Sequence, residues 1–156
     1  MPEPLLQPIL IVDSDEQSVD NISSGLKALK EVKKVSVKTK IVGVTTLTSL
    51  DSADLKSVGH KRSLKDIVTL QAKLASKAKL DAIVCSAQEV KLVKKVFKKE
   101  IITPGIRFSS KRHDQKRTLT PKQAIANGAN WLVIGRDITK GNIKKNIKKL
   151  IDHLNR

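Results

Sequence analysis

An α/β fold of about five βα units with parallel strands is what this sequence predicts, and three features predict it. Short runs of branched aliphatic residues alternate with longer stretches whose apolar positions recur at helical spacing. The apolar 39% of the chain comes mainly from Leu, Ile, Val and Ala, while aromatics reach 2%, as Phe97, Phe108 and Trp131 with no Tyr. A core of branched aliphatics suits strands buried on both faces. Turn and cap residues stand at several of the boundaries between the runs.

Pro8 to Val12 is a short apolar run closed by Asp13-Ser14-Asp15, which reads as a strand ending in a turn. Ser18 to Val32 carries Val19, Ile22, Leu26 and Leu29 at helical spacing. Lys40 to Leu47 is rich in β-branched residues and predicts a strand. Ser49 to Val58 predicts a short helix with Asp51 or Ser52 near its start. Ser63-Leu64-Lys65-Asp66 has the form of a capping box, with Asp in place of Glu, and opens a helix with Ile67, Leu70, Leu74 and Ala78 inward.

Asp81 to Ser86 is the next strand, followed by an amphipathic helix from Gln88 to Lys98 that turns Val90, Val93 and Phe97 inward. Ile101 to Ile106 is a strand cut by Pro104 and Gly105, and Arg107 to Leu119 is a polar loop. Pro121 to Asn127 predicts a short helix capped by Thr120 with Pro at its first position. Trp131 to Gly135 is the last strand. Asn142 to Leu154 is the last helix, with Ile143, Ile147, Leu150, Ile151 and Leu154 as its expected buried face. A complete (β/α)8 barrel needs about 250 residues. The five units therefore predict a partial (β/α)8 TIM-type barrel, residues 1–156 forming a single domain, about three units short of closure.

The net charge is +16, from 31 basic and 15 acidic residues. Such a balance invites a polyanion partner. Only six of the basic residues are Arg, at 62, 107, 112, 117, 136 and 156. Arg reads bases and phosphates bidentately, and single-strand binding needs stacking aromatics. Nucleic acid is thus disfavoured against solvated lysine faces, although the charge would still attract a small phosphorylated anion. No run approaches the ~20 apolar residues of a membrane span, and no secretory leader is read at the N-terminus. One cysteine, Cys85, fits a reducing cytoplasm.

Three stretches at the C-terminal ends of predicted strands carry candidate chemistry, and that end is where α/β sheets bind ligands. Thr45-Thr46-Leu47-Thr48-Ser49-Leu50 offers hydroxyls, although taken alone β-propensity for the threonines and an N-cap at Ser49 account for them better. Thr103-Pro104-Gly105-Ile106-Arg107 leads into a loop containing Lys111, Arg112, Gln115, Lys116 and Arg117, a basic segment suited to a phosphate dianion. Gly135 and Arg136 end the last strand, where barrels frequently build a phosphate site.

Taken together, VTTLTSLDSADL, LDAIVCSAQEV, TPGIR, DQKR…TPKQAI and NGANWLVIGRDIT resemble bacterial orotidine 5'-phosphate decarboxylases, in order and at family spacing, over about residues 40 to 140. Each block alone is weak. The five in sequence distinguish this family from relatives such as the keto-gulonate phosphate decarboxylases.

The resemblance implies a nucleoside monophosphate ligand, orotidylate or uridylate, and no metal or organic cofactor. It implies that Thr48 touches the nucleotide, that the Pro104 segment leading to Arg107 lies by the pyrimidine, that Gln115 bridges base and phosphate, and that Gly135 and Arg136 hold the phosphate. In the family, carbon dioxide leaves as a carbanion forms on the pyrimidine, and a lysine ammonium among carboxylates stabilises and protonates it. That chemistry rests on a DxKxxD segment of an earlier strand. The acidic clusters here, at Asp13 and Asp15, Asp51 and Asp54, and Asp114, lack its spacing and read as turns and caps. The loop between TPGIR and DQ also departs from the family, reading FSSKRH where more glycine is usual. The expectation is the C-terminal half of the barrel, with no catalytic residue, inactive alone, and partnered by further copies of itself or by a separate N-terminal half. The alternative is a non-catalytic phosphate- or nucleotide-binding half-barrel.

Overall fold

A computed structural model describes residues 9–13, 22–35, 39–46, 50–57, 59–108 and 119–155. Five strands form one sheet: β1 (Ile9–Asp13), β2 (Lys40–Val44), β3 (Ala82–Val84), β4 (Glu100–Thr103) and β5 (Trp131–Leu132). Their spatial order is their sequence order, and every pairing is parallel. This is the strand order of a (β/α)8 barrel over five units, so the predicted partial barrel is the fold found.

Between the strands lie α1 (Ile22–Val35), α2 (Ser52–Ser57), α3 (Leu64–Lys77), α4 (Val90–Val96) and α5 (Pro121–Ala126), and α6 (Arg136–Thr139) and α7 (Ile143–Asn155) follow β5. The helix starts follow cap chemistry. Thr120 and Gln123 complete a reciprocal capping box, with Pro121 just inside it. At α3 the shorter Asp66 changes the pattern: the Ser63 hydroxyl accepts the Asp66 N–H at 3.2 Å and pairs with the Asp66 carboxylate at 2.6 Å. Asp51 and Asp54 act as end caps for α2. Asp51 Oδ1 accepts the N–H groups of Ala53 and Asp54, and Asp54 Oδ2 accepts that of Asp51.

The main core lies between the sheet and α3 and α4. Ile41, Ile83 and Ile101 point into it against Val68, Leu80, Val90, Val93 and Phe97, all essentially inaccessible to solvent. Successive strand residues point to opposite faces, so Val42, Val44, Val84, Ile102 and Trp131 belong to the other, concave face. Contacts across that face agree: the Trp131 indole N–H donates to Glu100 Oε2 at 3.2 Å, and Glu100 lies 4.0 Å from Lys40 Nζ.

Three expectations need correction. The strands stop earlier than predicted, because β2 ends at Val44 and β5 at Leu132, although Thr45 N–H and Val133 N–H still donate to Val84 and Thr103 carbonyls. Gly135 and Arg136, expected to end the last strand just before a helix start, instead cap and open a short helix, α6. Finally, α7 has no buried residue. Ile143, Ile147, Ile151 and Leu154 are 50%, 43%, 52% and 37% exposed, where a buried face was predicted. Spacing on a helix reports an apolar stripe, and among the described residues no layer covers this one. Among the described residues, no helix is long and apolar enough to cross a membrane.

Candidate functional site

Because all strands run parallel, their C-terminal ends share one rim. At that rim β4 passes into Pro104 and Gly105, and Gly105 adopts φ +74°, a conformation open to a residue without Cβ. The turn delivers Ile106, 1% exposed, into a bridge with Leu119, and the Arg107 N–H donates to the Leu119 carbonyl at 3.2 Å. The basic loop therefore leaves and returns through one neck.

Arg107 is oriented from the other side. Its Nη1 donates to Asp137 Oδ1 at 3.2 Å, and the Phe108 N–H donates to Asp137 Oδ2 at 2.8 Å. The Arg107 side chain is only 14% exposed. Asp137 sits in the first turn of α6, where the helix dipole favours an anion. One carboxylate thus binds the exit of β4 to the start of α6. Gly135 and Arg136, immediately before Asp137, are exposed, and a Cβ added at Gly135 would meet nothing within 4 Å. The Phe108 ring stands edge-on to that of His153, centroids 6.4 Å apart. With Lys149 and Asp152 these two rings line a cleft of about 320 Å³.

Four of the six residues singled out from sequence, Pro104, Arg107, Gly135 and Arg136, are gathered on this rim. Thr48 and Gln115 lie outside the described residues. The earlier threonines turn inward: Thr45 Oγ1 donates to the Val84 carbonyl at 2.8 Å, and the Thr46 N–H and hydroxyl both reach Gln71 Oε1. Asp137 is the residue that sequence reasoning missed. An acid directly after Gly-Arg was its only signal, and nothing in a periodic pattern ties it to an arginine 30 positions away. Among the described residues, no group of three or more His, Cys, Asp or Glu is placed to hold a metal ion.

Known proteins share both sequence and fold with this chain. Residues 20–149 match the model of the Orotidine 5'-phosphate decarboxylase / HUMPS family. Orotidine 5'-phosphate decarboxylase of Wolbachia sp. subsp. Brugia malayi is 48% identical over 135 residues, which are 84% of this chain and 60% of that protein. The Coxiella burnetii enzyme of the same name is 50% identical over 103 residues, 64% of this chain and 44% of that one. The crystal structure of the Lactobacillus acidophilus orotidine 5'-phosphate decarboxylase superposes with a TM-score of 0.70 at 24% identity, covering 96% of this chain and 64% of that one. The Methanocaldococcus jannaschii enzyme, solved with the inhibitor BMP, gives 0.66 at 22% identity, covering 95% and 62%. The chain thus spans at most about 60% of the length of the curated relatives cited. A family match over 130 consecutive positions, carried on a parallel half-barrel, places the chain in the orotidine 5'-phosphate decarboxylase / HUMPS family.

Proposed function

We propose that these 156 residues form the phosphate- and nucleotide-binding wall of an orotidine 5'-phosphate decarboxylase. On their own they bind a nucleoside monophosphate without decarboxylating orotidylate. The observation that carries this reading is the Asp137 clasp, which fixes Arg107 and the neck of the basic loop beside Gly135 and Arg136. In this reading the phosphate lies against the open backbone at Gly135, and the Arg136 guanidinium supplies charge-assisted hydrogen bonds. Pro104 and the backbone after β4 face the base, and Thr48 and Gln115 complete the nucleotide contacts.

The absence of turnover follows from the residues of this chain. Departure of carbon dioxide leaves an electron pair on the pyrimidine carbon, and a positioned ammonium must stabilise and then protonate it. No Asp-Lys-Asp arrangement of the family's spacing occurs in the sequence. Contacts to a remote phosphate lower the barrier only when the reacting half is also present. The reading calls for no metal or organic cofactor, and it assigns the chain to the cytoplasm, consistent with a single buried cysteine, Cys85, outside any disulfide. Calorimetric titration of uridine monophosphate, paired with a sensitive orotidylate turnover assay, tests both parts. Saturable binding without turnover is expected. Turnover by rigorously purified protein overturns the second part, and absence of any binding overturns the first.

A further inference from the structure

Helix α7 is held on one side and bare on another. Asn146, Leu150 and His153, half-buried and four and three positions apart, share the side turned to the body of the chain. Asn146 Nδ2 donates to the Ile138 and Lys140 carbonyls at 3.1 and 2.7 Å, and the His153 ring stands against that of Phe108. These contacts fix the roll of the helix, so the stripe of Ile143, Ile147, Ile151 and Leu154 stays turned to solvent. At about 3.6 residues per turn, Lys144 and Lys148 border that stripe on the side away from the body, and Lys145 and Lys149 follow behind them. All four lysines are exposed, and Asp152 is the one acid on the helix.

We propose that α7 docks the chain on an anionic lipid surface, lying in the plane of the interface with its isoleucine stripe at the acyl boundary and Lys144 and Lys148 among the headgroup phosphates. A lysine-rich face beside an apolar stripe is the pattern of an interfacial helix. With 13 residues α7 is too short to span a bilayer. Lysine stems run along an apolar boundary and leave their ammonium groups at its polar edge. Lipid fits this surface better than protein does. The partly exposed stripe offers on the order of a few hundred Å², against about 800 Å² that each partner of a standard protein interface buries. A second copy of the chain would also bring its own lysines up to these, where like charges repel. A bilayer accepts a single helix without a matching groove, and anionic headgroups complement the lysines. The cytoplasmic leaflet carries such headgroups, so this docking adds to the nucleotide site without moving the chain from the cytoplasm.

The test is flotation of the full 156-residue chain with vesicles of mixed phosphatidylglycerol and phosphatidylcholine, and with phosphatidylcholine alone. Binding is expected on the mixed vesicles and not on the neutral ones. Ile147→Gln with Ile151→Gln keeps the charge and a good helix former at two exposed positions. This pair should leave the urea midpoint unchanged and weaken partitioning about tenfold or more, because the inserted apolar surface is lost. Each lysine near an anionic surface strengthens binding about fivefold, so Lys144→Gln with Lys148→Gln should weaken it roughly twentyfold. Lys65→Gln with Lys73→Gln, exposed on α3, removes the same charge and should change it little. The inference is overturned if the mixed vesicles float none of the chain, or if the isoleucine variant floats as well as the parent. Equal losses for the two lysine pairs also overturn it, since diffuse charge then suffices. So does a lipid-free dimer in sedimentation equilibrium that the isoleucine variant abolishes, because the stripe then takes a second copy.

Discussion

Asp137 receives Arg107 Nη1 on one carboxylate oxygen at 3.2 Å and the Phe108 N–H on the other at 2.8 Å, joining two rim segments 29 and 30 positions apart in sequence. Both side chains are largely shielded, Arg107 at 14% and Asp137 at 25% exposure, so solvent screens the pair less than a surface ion pair. Asp137→Ala should cost about 1–3 kcal/mol of stability, because it leaves a shielded guanidinium and a backbone N–H without their acceptor. Asp137→Asn keeps one acceptor oxygen and should cost less. Urea denaturation of both variants checks the order, and a zero cost for Asp137→Ala would show the clasp to be energetically idle.

At the opposite end of the strands Asp81 plays a structural role. Its carboxylate accepts from Lys33 Nζ and from the Ile41 N–H at 2.8 Å, with Lys99 Nζ 3.6 Å away. Burial opposes its ionisation, but the Lys33 hydrogen bond, the Ile41 N–H and the two ammonium charges outweigh it and hold the carboxyl below its usual 3.8. A depressed folded-state value means that this stabilisation is present above the unfolded value, near pH 4, and is lost as pH falls through the lower folded value. The urea midpoint should therefore drop on acidification below about pH 4, and Asp81→Asn should flatten part of that drop while lowering stability at neutral pH. An unchanged acid slope in Asp81→Asn would assign the loss to other carboxylates.

Gly43 is a packing glycine. A Cβ there would lie 2.8 Å from Leu80 Cδ1, and Leu80 is fully buried between the sheet and α3. Gly43→Val should destabilise the chain by about 1–3 kcal/mol through overpacking. The double variant Gly43→Ala with Leu80→Ala should recover part of the cost of Gly43→Ala, measured as a double-mutant cycle.

The elements that sequence reading placed correctly are those whose signal is local. All five strands follow from short branched-aliphatic runs, and α4 follows from Val90, Val93 and Phe97 at helical spacing, all buried as expected. Caps at Ser63 and Thr120 are equally local. The failures concern relations across the chain. The stripe on α7 is plain in the sequence, but whether anything covers it depends on residues elsewhere. Gly135 and Arg136 are legible because a glycine and a cation end a strand. The Arg107–Asp137 clasp is not, since an ion pair at long separation imposes no period on the residues between.

The nucleotide site is tested most directly at Arg136. This residue is exposed at the rim beside Gly135, and a charge-assisted contact to phosphate contributes about 1.5–3 kcal/mol. Arg136→Ala should therefore weaken uridine monophosphate binding roughly tenfold to a hundredfold, since each ~1.4 kcal/mol is a factor of ten. Lys148 is exposed on α7 and carries the same charge, so Lys148→Ala controls for diffuse attraction by a chain of net charge +16. It should change binding little at fixed moderate salt, where exposed charges beyond about 10 Å are screened. Arg107→Ala should combine weaker binding with lower stability, because the same side chain anchors the loop neck to Asp137. Titrations of all three variants, each with a urea curve, separate these outcomes. Equal losses for Arg136→Ala and Lys148→Ala would mean that the nucleotide follows overall charge, and that the rim holds no specific phosphate site.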